Sequence, residues 1–215
     1  MNMPEVVVID YGLGNLLSVQ RALEHCGAKV ILTSDPKKIL SASHVVLPGV
    51  GAFFNAMQAL DDLGLVVVIR KLTQIKTPLL GICLGMQLLL EESSEFGLTS
   101  GLGLIPGRVI ALPDKTLLGV TQKIPHIAWS AIQPSYAEMT WQHTLLQDNI
   151  PGEAVYFIHS FMAVPSNPKH CIAKCFYGGH KIAAVISQGQ ITGCQFHPEK
   201  SGKIGLKILR RFILQ

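Results

Sequence analysis

Four short apolar runs, spaced along the first 82 residues and separated by segments of a different period, constrain this chain more than any other feature. "VVVID" (6–10) is β-branched and too short for a helix, and a glycine-rich turn follows it. Leu16, Val19, Leu23 and Cys26 then recur at helical spacing before a second strand, "KVILT" (29–33). "HVVLP" (44–48) is a third strand, followed by a helical stretch carrying Met57 and Leu60, and "PLLGI" (78–82) is a fourth. Strands alternating with helices imply a parallel sheet covered on both faces. The second half reads differently. "GRVIALP", "AVYFIHSF", "CIAKCFYGG" and "KIAAVISQGQITGCQFHP" are β-rich pieces broken by Gly, Pro and Asn, as expected of antiparallel or mixed strands appended to the same sheet. The expected fold is therefore α/β: one domain over residues 1–215, with an open, mixed, mostly parallel sheet, helices on both faces and antiparallel strands added in the second half.

With 215 residues, 48% of them hydrophobic, the chain is long enough for one well-filled core. No apolar run approaches the roughly 18 residues of a membrane span. The N-terminal Met1-Asn-Met-Pro-Glu5 has no basic segment ahead of its apolar strand, so a cytoplasmic protein is expected. Five cysteines without a CxxC pair argue against a disulfide framework and suit a reducing compartment. Cys171 and Cys175, flanked by His170 and His180, lack a second correctly spaced pair and read as a strand face; no metal or cofactor is expected. The net charge of +4 is concentrated at the end of the chain. Residues 200–215 hold five basic side chains and no acidic one, leaving 13 basic against 14 acidic residues before them. Lys203, Lys207 and Arg210 oppose Ile204, Ile208 and Phe212 at helical spacing, which is the solvated face of an amphipathic helix; no nucleic-acid partner is implied.

In "PLLGICLGMQLLLEE" (78–92) the fourth strand gives way to a helix that becomes acidic at its end, Glu91 and Glu92, and Cys83 stands at the change. Gly81 and Gly85 remove side chains that would clash in so sharp a turn, the pattern of a nucleophile elbow with Cys in place of Ser. Such a turn aims the sulfur into open space at a helix N-terminus, whose partial charge favours thiolate. Taken alone, the motif fits a buried inert thiol as well as a nucleophile.

A thiol nucleophile needs a base, and the base an orienting group. Of eight histidines, only His197 ends an apolar strand with a carboxylate close by, in "ITGCQFHPEK", where Pro198 stiffens the link to Glu199. Catalytic groups of open α/β sheets gather beyond the carboxyl ends of the strands, which would bring His197 near Cys83. The turn "DYGLGN" (10–15) is not a dinucleotide fingerprint, since Leu17 stands where GxGxxG needs glycine; it reads as a tight turn capped by Asn15.

GxCxG in an elbow, followed more than a hundred residues later by HPE, resembles the class I, triad-type glutamine amidotransferases. The ordered set "IDYGLGNLLSV", "LPGVGAF", "GICLGMQLLLEES", "GLGLIPGRV", "KIPHIAW", "YFIHSF" and "GCQFHPEKSGKIGLKIL" is similar to the branch of that family formed by glutaminase subunits of imidazole glycerol phosphate synthases, over essentially the whole chain. The resemblance implies a flavodoxin-like fold and a Cys83–His197–Glu199 triad that hydrolyses L-glutamine. It implies an oxyanion hole from the amides of Leu84 and Val50, with Gly49 and Gly51 permitting a peptide to reorient. Gln87, Glu95, Ser160 and Phe161 match positions that hold the substrate, Glu95 suiting its α-ammonium. It further implies a heterodimer with a (β/α)₈-barrel cyclase, which receives ammonia through a channel and makes imidazole glycerol phosphate and an aminoimidazole carboxamide ribotide. Asn15, His126, Trp129 and Lys200 match positions facing that partner. The branch usually reads PHMGWN where this chain has "PHIAWS", with Ile127, Ala128 and Ser130. That departure keeps open a glutaminase serving a surface-sugar amidotransferase. A flavodoxin-like cysteine hydrolase or stress protein, and a binding subunit with a vestigial site, are the alternatives of other classes.

Overall fold

The computed structural model describes residues 3–215; Met1 and Asn2, which the single-domain span and the reading of the N-terminal segment both include, lie outside the described residues. The first half alternates β1 (Glu5–Ile9), α1 (Leu16–His25), β2 (Lys29–Thr33), α2 (Pro36–Ser41), β3 (His44–Gly49), α3 (Phe53–Asp62), α4 (Leu65–Gln74), β4 (Leu79–Cys83) and α5 (Leu84–Leu88). The second half holds β5 (Glu92–Ser93), β6 (Thr99–Ser100), β7 (Gly107–Ala111), β8 (His126–Ala131), β9 (Gln133–Pro134), β10 (Ala154–His159), β11 (Phe161–Pro165), β12 (Cys171–Tyr177), β13 (His180–Gln188), β14 (Ile191–Cys194) and α6 (Gly202–Phe212).

The main sheet runs β2-β1-β3-β4-β14-β13-β12-β9. Its first five strands are parallel, and β13, β12 and β9 extend it in antiparallel fashion. The central strands are buried on both sides, as parallel strands under helices must be. Val6 and Val8 of β1 pack with α1 and α6, whereas Val7 and Ile9 pack with α2, α3, α4 and α5, so consecutive residues feed opposite cores. α4 carries a valine-rich run that composition would assign to a strand. Its buried Leu65, Val66, Ile69 and Leu72 instead follow a helical period, and this face sets its structure. Phe53, Phe157, Phe196 and Phe212 are fully buried anchors of the two cores.

Two expectations are corrected. The second-half strands do not all join the main sheet: β10 pairs with β8, and β11-β7-β5-β6 form a separate four-stranded sheet. "AVYFIHSF" breaks at Ser160 into β10 and β11, each taking a different partner. The helix after Cys83 ends at Leu88 rather than continuing to the glutamates. The Leu88 and Leu89 carbonyls accept amides from Leu102, Leu104 and Ile105, and the Glu91 carboxylate accepts the Gly107 amide at 2.8 Å. Long-range pairing there takes up backbone groups that a longer helix would have used itself.

Candidate active site

Cys83 closes β4 with φ 55° and ψ −110°, a left-handed-side conformation that non-glycine residues rarely hold. The glycines around it are sterically required. A Cβ on Gly81 would lie 2.6 Å from the Gly85 carbonyl oxygen, and one on Gly85 only 1.9 Å from the Leu47 oxygen of β3. The turn is thus wedged against the neighbouring strand, and Cys83 opens onto a cavity of about 470 Å³ that Leu84, Val50, Gly51 and His197 also line.

Strand pairing brings His197 to the cavity beside Cys83. β14 lies parallel to β4 with Cys194 opposite Ile82, so His197, three residues past Cys194, emerges at the same sheet edge as Cys83. Phe196 between them is anchored in the core, edge-on to Phe157 at 5.6 Å. The Glu199 Oε1 lies 2.7 Å from His197 Nδ1, and the two side chains are only 1% and 4% exposed. Burial alone would lower the His197 pKa, but the Cys83 sulfur and the Glu199 carboxylate outweigh it and lift the value to about 9. The backbone is held as firmly: the His197 amide donates to the Tyr156 carbonyl at 3.0 Å and the Ser201 hydroxyl to the His197 carbonyl at 2.6 Å.

The residues expected to form the oxyanion hole gather here. Gly49 stands in register with Cys83 across β3 and β4, Gly51 has φ +101°, and Val50 is 41% exposed at the cavity rim. Gln87, Glu95, Ser160 and Phe161 all line the same cavity. Two of them have structural duties as well. Gln87 Nε2 donates to the Phe161 carbonyl and to Gln195 Oε1, both at 3.0 Å. The Glu95 Oε2 accepts the Phe53 amide at 2.7 Å, capping α3 from a distant loop. Gln195 itself is absent from the sequence reading. It is fully buried and its Nε2 approaches the Cys83 sulfur at 3.9 Å; its place two residues before His197, on the same side of an extended segment, was the available signal.

The four positions expected to face a partner divide. Trp129 is 57% exposed and Lys200 is exposed, while Asn15 is half-buried at the start of α1, which packs against the Pro198–Lys200 turn. Asn15 makes no side-chain cap, contrary to expectation; only its carbonyl accepts, from the Val19 amide at 3.2 Å. His126 is the exception. Its side chain is fully buried, stacked on Tyr177 with ring centres 4.2 Å apart, so it cannot present its imidazole at the surface; Ile127 and Trp129 on either side are exposed.

His126 belongs instead to a buried relay that reaches the cavity wall. The His159 Nδ1 lies 2.8 Å from the Phe161 carbonyl, which can only accept, so Nδ1 carries the proton and Nε2 is left as acceptor. His126 Nδ1, 3.0 Å from that Nε2, must therefore donate, and His126 Nε2 accepts from the Ser130 hydroxyl at 3.0 Å. Both imidazoles are neutral in this arrangement. Burial agrees, lowering the pKa of His126 and pushing that of His159 down to about 4.

Cys171 and Cys175 lie on β12, Cys175 within the core, and all five cysteines are free. Among the described residues no helix is long and apolar enough to cross a membrane.

A family model described as "Glutamine amidotransferase class-I" matches residues 7–215. A Legionella pneumophila (strain Lens) protein named imidazole glycerol phosphate synthase subunit HisH 1 is 49% identical over 212 residues, covering 98% of this chain and 99% of the relative. Proteins named imidazole glycerol phosphate synthase subunit HisH from Geobacillus sp. (strain WCH70) and Methanosarcina acetivorans are each 44% identical, covering 95% and 98% of this chain and 94% and 98% of their own lengths. Among solved structures, one titled as a glutamine amidotransferase superposes with a TM-score of 0.71 at 16% identity, covering 97% of both chains. A chain of PurLQS from Thermotoga maritima superposes at 0.70 with 17% identity, covering 99% of each; these two likenesses bear on the fold.

Proposed function

We propose, for a chain that belongs to the class I glutamine amidotransferase family, that it is the glutaminase subunit of an imidazole glycerol phosphate synthase, passing ammonia to a cyclase in histidine biosynthesis. The observation that carries the chemistry is the single cavity onto which Cys83 and His197 both open, with His197 tied to Glu199 behind it. The near full-length likeness to named synthase subunits supports the pathway and the partner.

In this reading the Cys83 sulfur attacks the carboxamide carbon of glutamine as the thiolate, paired with protonated His197. The oxyanion that develops is met by the Leu84 amide and, once its peptide points inward, by that of Val50. His197, protonated at neutral pH with its pKa near 9, gives that proton to the leaving nitrogen as the C–N bond breaks, and ammonia departs. The imidazole, now neutral, takes a proton from water. The resulting hydroxide equivalent cleaves the thioester, releasing glutamate and restoring the thiolate beside protonated His197. Glu199 orients the ring and balances its charge throughout. Gln87, Glu95, Ser160 and Phe161 hold the substrate, and no cofactor is required. A (β/α)₈-barrel cyclase docks over Asn15, Trp129 and Lys200 to form a heterodimer. Five free thiols suit the cytoplasm as its compartment.

A surface-sugar amidotransferase as the ammonia consumer is the second reading, favoured only by Ile127, Ala128 and Ser130 in β8. Reconstitution decides between them. Glutamine hydrolysis is measured for the chain alone, with a histidine-pathway cyclase, and with cyclase plus its nucleotide substrate. Stimulation by cyclase and nucleotide is expected, together with loss of glutamine-dependent but not ammonia-dependent synthesis in Cys83→Ala. No complex with the cyclase would turn the assignment to the sugar pathway, and equal loss of both syntheses would end the subunit reading.

A further inference from the structure

β3 outruns its neighbour at the catalytic edge. Its pairing with β1 ends at Val46 opposite Val8, yet β3 continues through Leu47, Pro48 and Gly49 into the segment that bears Val50. On the β1 side the chain has already turned away into residues 10–15. From that turn Tyr11, 4% exposed, donates its hydroxyl to the Pro48 carbonyl at 2.8 Å. The same phenolic oxygen would lie 2.8 Å from a Cβ on Gly49, so it also sits directly against that glycine's backbone. The Pro48 carbonyl is one half of the Pro48–Gly49 peptide, so the Tyr11 hydrogen bond tethers that peptide directly.

We propose that Tyr11 is a positioning residue for the glutaminase reaction: its hydroxyl pins the Pro48–Gly49 peptide, so that reorientation of the oxyanion segment is confined to the Gly49–Val50–Gly51 stretch. The proposal rests on the reading of Cys83, Val50 and Leu84 given above. A fixed point immediately before a mobile peptide has a definite consequence. The Val50 amide can swing between two orientations without the strand end drifting away from Cys83, which stands opposite Gly49. Without the tether the Pro48 carbonyl is a buried acceptor left without its donor, and the peptide turns to find another. The donor for the oxyanion is then placed less often, although the glutamine-binding wall of Gln87, Ser160 and Phe161, on other elements, is untouched. Burial of the phenol keeps it protonated, and hence a donor, throughout the working pH range.

The test is Tyr11→Phe, which removes one oxygen and no packing volume, assayed as the full chain in complex with the cyclase and nucleotide. The expected result is a fall of about tenfold in kcat for glutamine hydrolysis, the scale of one hydrogen bond, with KM for glutamine within about twofold of the unsubstituted chain. Alkylation of Cys83 by iodoacetamide, which builds no oxyanion, stays within about twofold. Unchanged kcat overturns the proposal, and so does a rise in KM at constant kcat, which would place Tyr11 in substrate binding. Loss of alkylation together with activity also overturns it, because Tyr11 would then be supporting the elbow. Failure of the unsubstituted complex to hydrolyse glutamine removes the glutaminase reading itself and the proposal with it.

Discussion

His197 Nδ1 and Glu199 Oε1 meet at 2.7 Å across a single intervening proline, with both side chains withdrawn from water. Among the described residues the other carboxylate oxygen, Oε2, has no hydrogen-bond partner. A buried carboxylate with one contact depends on that contact, and the protonated imidazole is what compensates its desolvation. Glu199→Gln keeps the volume and removes the charge, so the His197 pKa is expected to fall below its value of about 9. Titration of the ring by ¹⁵N NMR reads this directly, and an unchanged midpoint would deny Glu199 its role. His197→Asn is expected to lower glutaminase kcat on the order of 10²–10⁴-fold in the complex, the usual range for a general acid–base group.

Stability should pass through a maximum near the ordinary histidine pKa of 6.5. His197 has a raised folded-state value, about 9, so its contribution is complete below 6.5 and lost as pH climbs through 9. His159 is the opposite case. Burial depresses it to about 4 despite its bond to the Phe161 carbonyl, with repulsion from His126 and His197 whenever they are protonated adding to the effect, so the unfolded chain binds a proton the folded chain refuses between pH 6.5 and 4. His126 and His44, both lowered by burial, add to that acid limb. Thermal melts from pH 4.5 to 9 are expected to show both limbs. His197→Asn should flatten the alkaline one and His159→Phe the acid one; a profile lacking either limb would contradict the assignment behind that limb.

The relay of Ser130, His126 and His159 is directional because it ends on a carbonyl. Both imidazoles are therefore expected as the Nδ1–H tautomer, the reverse of the form that predominates in free histidine. Ring ¹³C and ¹⁵N shifts distinguish the two, and an Nε2–H signal from either residue would mean that the hydrogen bonds run otherwise.

Gly85→Ala is expected to be among the most damaging single substitutions in the chain. Its Cβ would meet the Leu47 carbonyl oxygen at 1.9 Å, and neither β3 nor the elbow can retreat without moving Cys83. A loss above about 4 kcal/mol, the exceptional end of single-residue effects, is anticipated from chemical denaturation. A variant that melts like the parent would show that the elbow is not wedged against β3.

Much of this arrangement was written locally. Strands 5–9, 44–49 and 79–83 announce themselves as β-branched or apolar runs because a strand buried on both faces needs few polar residues, and the half-buried edge strand 29–33 by its β-branched residues. Gly81, Cys83 and Gly85 mark the elbow because only that spacing fits so tight a turn, and His197-Pro198-Glu199 carries its own short-range geometry. What the tertiary structure decided is every relationship between segments far apart in the chain. The early end of α5 depends on amides from residues 102–105, and the capping of α3 on Glu95, 42 residues from its partner. The inward turn of His126 depends on finding His159 and Tyr177 across β10 and β12, although its neighbours Ile127 and Trp129 face solvent. Likewise, nothing local in "DYGLGN" tells that Tyr11 reaches Pro48. Local sequence sets backbone preference and period, whereas a buried polar group must take whichever partner the packed chain puts within hydrogen-bond distance.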